Sequence, residues 1–141
     1  MSLPEPEPGL VVSYAYLWRA EHQAGREEGR KDRPCAIVFA LERPEDATIV
    51  TVLPITHSPP SDPSSAVEIP PRVKEHLGLD EQRSWIVVNE GNRFPWPGFD
   101  LRKIPTTGEF HYGFLPPRLF ADVLARFLKW YNDDPALLAE R

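Results

Sequence analysis

The stretch "DRPCAIVFALERPEDATIVTVLPIT" (Asp32–Thr56) decides how this chain folds. "PCAIVFAL" (Pro34–Leu41) is a continuous apolar run, short enough for a buried strand. "RPEDA" turns the chain, and "TIVTVLPIT" (Thr48–Thr56) returns it, so the two segments predict a hairpin. Pro34 cannot donate to a strand ladder, so it belongs at a strand's first position. It also biases Arg33 towards extended backbone. Arg33 is thereby set at the mouth of the sheet, where a rigid strand can aim its guanidinium.

Outward from this hairpin, "GLVVSYAYLW" (Gly9–Trp18) reads as a strand, rich in β-branched and aromatic residues. "RAEHQAGREEGRKD" (Arg19–Asp32) has no apolar face and predicts a long exposed loop, a length often tied to function. "HSPPSDPSS" (His57–Ser65) is a loop, "AVEIP" (Ala66–Pro70) a short strand, and "PRVKEHLGL" (Pro71–Leu79) one or two helical turns. "RSWIVVNE" (Arg83–Glu90) reads as a buried strand, and Gly91–Ile104 as irregular apart from a short strand around Leu101. Within "GFLPPRLFADVLARFLKWYND" (Gly113–Asp133), Leu119, Phe120, Val123, Leu124, Phe127 and Leu128 repeat at helical spacing. The organisation predicted is a flexible lead-in over 1–8, one domain over 9–133 and a C-terminal tail over 134–141. The fold class is mainly β: a small, strongly bent sheet or barrel covered by a terminal helix.

Bulk composition narrows the function classes. The net charge is −5, so no long-range field draws in nucleic acid, and any polyanion site must be a local patch. One cysteine, Cys35, excludes an internal disulfide framework and a cysteine-based zinc site. Its apolar run predicts a buried structural thiol. His22, His57, His76 and His111 show no metal-ligand spacing, so no metal and no cofactor are expected. The acidic, proline-rich start is no signal peptide and no apolar run reaches the ~20 residues of a membrane helix, which predicts a cytoplasmic protein away from membranes.

Two positions could carry chemistry. A guanidinium is permanently charged, and its fork of donors fits phosphate; Arg33 could equally be a solvated loop arginine. Thr56 and His57 follow the end of the returning strand. If the two strands are neighbours, Thr56 and Arg33 lie at one end of the sheet, where a hydroxyl beside an arginine can stabilise a developing oxyanion. His57 could exchange protons near neutral pH. The plainer alternatives are a strand-ending threonine and a loop histidine.

The succession "GLVVSYAYLW…E", "G…KDRPCAIV", "TVLPIT" and "SWIVVNEGNRF" resembles the PemK/MazF family of toxin endoribonucleases of bacterial toxin–antitoxin systems. The resemblance spans roughly Gly9 to Arg102. It implies an SH3-like barrel with a C-terminal helix, usually a homodimer, that cleaves single-stranded RNA without a metal and is inhibited by a cognate antitoxin. It places the R-P arginine on Arg33 and the threonine after the third strand on Thr56, as the groups that stabilise and protonate the reacting phosphate. The 2′-hydroxyl would attack in line and leave a 2′,3′-cyclic phosphate and a 5′-hydroxyl. His57 is an accessory candidate. Where many members carry Gln–x–Arg, this chain reads "NEGNRF", with Arg93 as the stand-in displaced by one position. Arg30 and Lys31 are candidate RNA contacts, and Phe94 or Trp96 could stack on an unpaired base or else pack on the barrel or a dimer contact. Between Arg19 and Arg33 five basic side chains meet four acids, so phosphate binding should be modest and salt-sensitive. A catalytically silent barrel that binds RNA or a protein partner is the alternative, and a domain serving only dimerisation a third.

Overall fold

A computed structural model describes residues 3–25, 31–43 and 47–141. Its framework is the expected hairpin. Strand β2 (Arg33–Glu42) and strand β3 (Thr48–Thr56) pair antiparallel from Cys35↔Pro54 to Glu42↔Thr48, with a register shift between Ile37 and Phe39. Strand β1 (Leu10–Tyr14) lies on the far side of β2, with Val12 opposite Cys35 and Tyr14 opposite Arg33.

The other edge of β3 is shared. Its first half pairs with β6 (Gly91–Pro95), and its end, Ile55–Thr56, pairs with β5 (Trp85–Val87). Strand β4 (Ala66–Glu68) extends the sheet beyond β5, and β7 (His111–Phe114) extends it beyond β1. Strand β8 (Leu138–Glu140) runs parallel to β6. Among the described residues, eight strands form a bent, mainly antiparallel sheet that does not close, with β4 and β7 at the ends of its main path. Helices α1 (Arg19–Gln23) and α2 (Pro71–His76) are short, and α3 (Pro117–Asp133) is the long C-terminal helix.

The apolar runs of β1 to β3 are continuous because both faces of the sheet are covered. Successive side chains point to opposite faces. Val11, Ala36, Val38 and Leu53 share one cluster with Val123 and Phe127 of α3. Val12, Cys35, Ile37 and Val52 share the other with Tyr14, Phe94 and Leu101. Pro116 and Pro117 open α3, where the missing N–H groups cost nothing. No helix among the described residues is long and apolar enough to cross a membrane.

Several expectations are corrected. The segment Arg19–Asp32 is not all loop, since its first five residues form α1; residues 26–30 lie outside the described residues. Gly91–Pro95 is not irregular but a strand, because β3 offers it a free edge. Around Leu101 there is a single bridge, to Tyr14. His111–Phe114 is a strand before the helix, not part of the helix segment. The tail 134–141 forms a short 3-10 turn over Pro135–Leu137 and then strand β8, which docks on β6, with Leu137 and Ala139 buried. Gly91 permits that docking, since a Cβ there would stand 2.9 Å from Leu138 Cδ2.

Phe127 is fully buried, with its ring centroid 5.8 Å from that of Phe39 on β2. Phe127→Ala should therefore destabilise the protein by about 3–5 kcal/mol, read as a lower urea midpoint. A change below about 1 kcal/mol would mean that α3 is not part of the folded core.

Candidate active-site cleft

Arg33 opens β2, and Thr56 closes the antiparallel strand beside it. Their side chains consequently reach the same end of the sheet. Both line one cleft of about 520 Å³, together with Trp18, Lys31, His57 and Asp80.

The guanidinium of Arg33 is held from two sides. Its Nη1 donates a long hydrogen bond, 3.4 Å, to the carbonyl of Ile55. Its Cζ stands 4.9 Å from the centre of the Trp18 ring, a cation–π contact. Its Nε is buried and has no hydrogen-bond partner among the described residues. A buried donor left unmade costs about 1–3 kcal/mol. The Thr56 hydroxyl oxygen accepts the Ser58 N–H at 3.2 Å, which leaves its own proton for a ligand. Lys31 is exposed and borders this cleft and a second hollow beside it, which Tyr16, Trp18 and Glu21 also line.

Trp18 was not among the sequence candidates, and its placement has a visible cause. Buried Asn92, at the start of β6, grips the backbone of Leu17 from both sides. Its Oδ1 accepts the Leu17 N–H at 2.9 Å, and its Nδ2 donates to the Leu17 carbonyl at 2.8 Å. Glu90 Oε1 accepts the Arg19 N–H at 2.8 Å and the Tyr16 hydroxyl at 3.0 Å. The stretch "NEGN" therefore fixes the segment that carries Trp18 against Arg33.

The remaining candidates divide. His57 is in the cleft, with Nε2 2.8 Å from Asp80 Oδ2. Arg93 is not among the residues lining it; it sits opposite Thr51 on β6 and is ion-paired with Glu140 on β8. Phe94 is 3% exposed and stacks on Tyr14 at 4.8 Å, so it is part of the core and offers no face to a base. Trp96 is half-buried against Phe94, at 6.3 Å. Packing is the reading that fits both aromatics. Arg30 lies outside the described residues. The charge balance also reads differently in space. Asp32 is drawn to Arg102, 3.6 Å away, and Arg19 pairs with Asp134 at 3.2 Å. Among the described residues, no group of three or more His, Cys, Asp or Glu is placed to hold a metal ion.

No family model matches the chain, and no curated protein does. Among solved structures, the Mycobacterium tuberculosis toxin MazF-mt6 is similar in fold. Its TM-score is 0.51 at 18% sequence identity, over 86% of this chain and 96% of that one. The likeness establishes a MazF-like fold: a mainly β sheet with one long C-terminal helix.

Glu90 supplies a test of this architecture. Burial raises its carboxyl above the usual range, against the opposing hydrogen bonds from the Arg19 N–H and the Tyr16 hydroxyl. A raised carboxyl favours folding fully below the unfolded value of about 4.3 and loses that contribution as pH rises through the folded value. Glu90→Gln keeps an oxygen acceptor and removes the charge. Its melting temperature should exceed the wild type's at pH 7, and the gap should close below about pH 4. A variant less stable at pH 7 would contradict this account.

Proposed function

We propose that this protein is a toxin-type endoribonuclease that cleaves single-stranded RNA without a metal. The observation that carries the reading is the convergence of Arg33 and Thr56, far apart in sequence, on one cleft. Phosphate is the group that this pair suits. The guanidinium binds two non-bridging oxygens through its fork. Thr56 adds a hydroxyl proton where negative charge grows in the transition state. The 2′-hydroxyl of the RNA attacks phosphorus in line and the 5′-oxygen leaves. The products are a 2′,3′-cyclic phosphate and a 5′-hydroxyl.

The MazF-like fold supports the same reading, since it belongs to a protein described as a toxin. On that basis the protein acts as a homodimer in the cytoplasm, and a cognate antitoxin silences it by filling the cleft. Residues 9–133, together with β8 docked on β6, form its functional domain. Lys31, at the cleft rim, adds a phosphate contact. With a net charge of −5 behind so small a cationic patch, phosphate contacts are few and RNA binding is weak.

Arg33→Ala should lower cleavage of unstructured RNA in EDTA by at least about 10²-fold. The fold should survive, because the contact with Trp18 contributes only about 0.5–1 kcal/mol at a partly exposed site. Cleavage is read on gels, with cyclic phosphate ends identified by mass spectrometry. An Arg33→Ala protein as active as the wild type would remove Arg33 from the site. Tight RNA binding by the wild type with no cuts would replace the nuclease with a catalytically silent RNA-binding barrel.

A further inference from the structure

Behind the cleft lies a chain of polar side chains that the Arg33–Thr56 pair does not require. It begins at Lys74 in α2, which is only 5% exposed. An ammonium has three donors and no acceptor, and here all three are used. Nζ donates to Asp80 Oδ1 at 2.7 Å, to Ser84 Oγ at 2.7 Å and to the Gln82 carbonyl. The turn after α2 makes this possible. Gly78, with φ at +68°, ends the helix, and the Leu79 N–H bonds back to the Lys74 carbonyl, so the chain returns Asp80 over Lys74.

The Asp80 carboxylate divides its two oxygens. Oδ1 accepts from Lys74 and from the Gln82 N–H at 3.0 Å, while Oδ2 lies 2.8 Å from His57 Nε2. Partial burial opposes ionisation of Asp80. The hydrogen bond and the charge of Lys74 act against that, and the carboxyl is held below its usual range. An ionised Oδ2 accepts only, so Nε2 carries the hydrogen, and Nδ1 is the nitrogen with a lone pair. A half-exposed histidine next to Thr56 would otherwise rotate freely. Here a carboxylate, itself clamped by a buried cation, fixes its ring and its tautomer.

We propose that Lys74, Asp80 and His57 form a relay that makes His57 the proton acceptor of the cleft, with Asp80 and Lys74 as its positioning residues. The proposal rests on the RNA-cleavage reading and adds to it the group that activates the nucleophile. As the 2′-oxygen bonds to phosphorus, its proton passes to Nδ1 of His57. The bond from phosphorus to the 5′-oxygen breaks, and that oxygen takes a proton from water. The imidazolium then returns its proton to water, and His57 ends neutral. Arg33, Lys31 and Asp32 are the other charged groups of the cleft.

The test is a double-mutant cycle on the full chain, with kcat and KM measured on single-stranded RNA in EDTA. His57→Gln should lower kcat by about 10²-fold with KM nearly unchanged. Asp80→Asn, at a half-exposed position, should fold normally and lower kcat by about 10-fold, less than loss of the imidazole itself. In the His57→Gln background, Asp80→Asn should have no further effect, because Asp80 acts only through His57. A merely structural Asp80 would lower kcat equally in both backgrounds, and that result overturns the relay. So does a His57→Gln protein that cleaves at the wild-type rate. Both of these leave the nuclease reading intact, provided that Arg33→Ala is dead. A wild type that makes no metal-independent cut overturns the nuclease reading and the relay together.

Discussion

The pairing of β2 with β3 is the constraint on which the rest depends. Its register sets Cys35 opposite Pro54, so that the residues flanking this pair, Arg33 and Thr56, come to the same end of the sheet. A slip of one residue would turn every side chain of one strand to the other face. Ile37 and Val38, each buried on its own side, would then exchange clusters, and Arg33 would leave the cleft. Both faces are packed, so such a slip disrupts two cores at once. The geometry of the cleft is thus a by-product of the hydrophobic one.

Around that hairpin, the sheet places its secondary features by long-range contacts. Asn92 and Glu90 reach back to residues 16–19, and Asp80 reaches back to His57. The first connection aims Trp18 at Arg33, and the second aims the imidazole. Two otherwise ordinary loops are thereby held by single polar side chains rooted near strands. The ordering cost of the cleft's own side chains is thereby met during folding, before any ligand arrives.

The parts of this arrangement that could be read in the sequence are those with a local cause. Pro34 and the two apolar runs mark the hairpin, and the bounds of Thr48–Thr56 follow from composition alone. The period of α3 is equally explicit, and the nearness of Arg33 and Thr56 follows once the two strands are paired. What could not be read depends on partners distant in sequence. "GNRFP" has no strand signature, with glycine, asparagine and proline in five residues; it becomes β6 because β3 has an unfilled edge. The alternation along β6 then decides two candidate residues at once. Phe94 faces the core against Tyr14, and its neighbour Arg93 turns the other way, to Glu140. Terminal β8 is invisible for the same reason, since three residues carry no pattern. Asp80 and Lys74 read as ordinary charges near a short helix until the turn at Gly78 folds one over the other.

Cys35 sits beside Pro34, two residues past Arg33, in the middle of three paired strands. It has no exposed surface, and burial pushes its thiol well above the normal range. Only a thiolate reacts with an alkylating reagent. The folded molecule therefore carries an internal clock. Each capture of that sulfur records a separation of the central strands, so the labelling rate measures how often the strand that aims the guanidinium lets go of its neighbours.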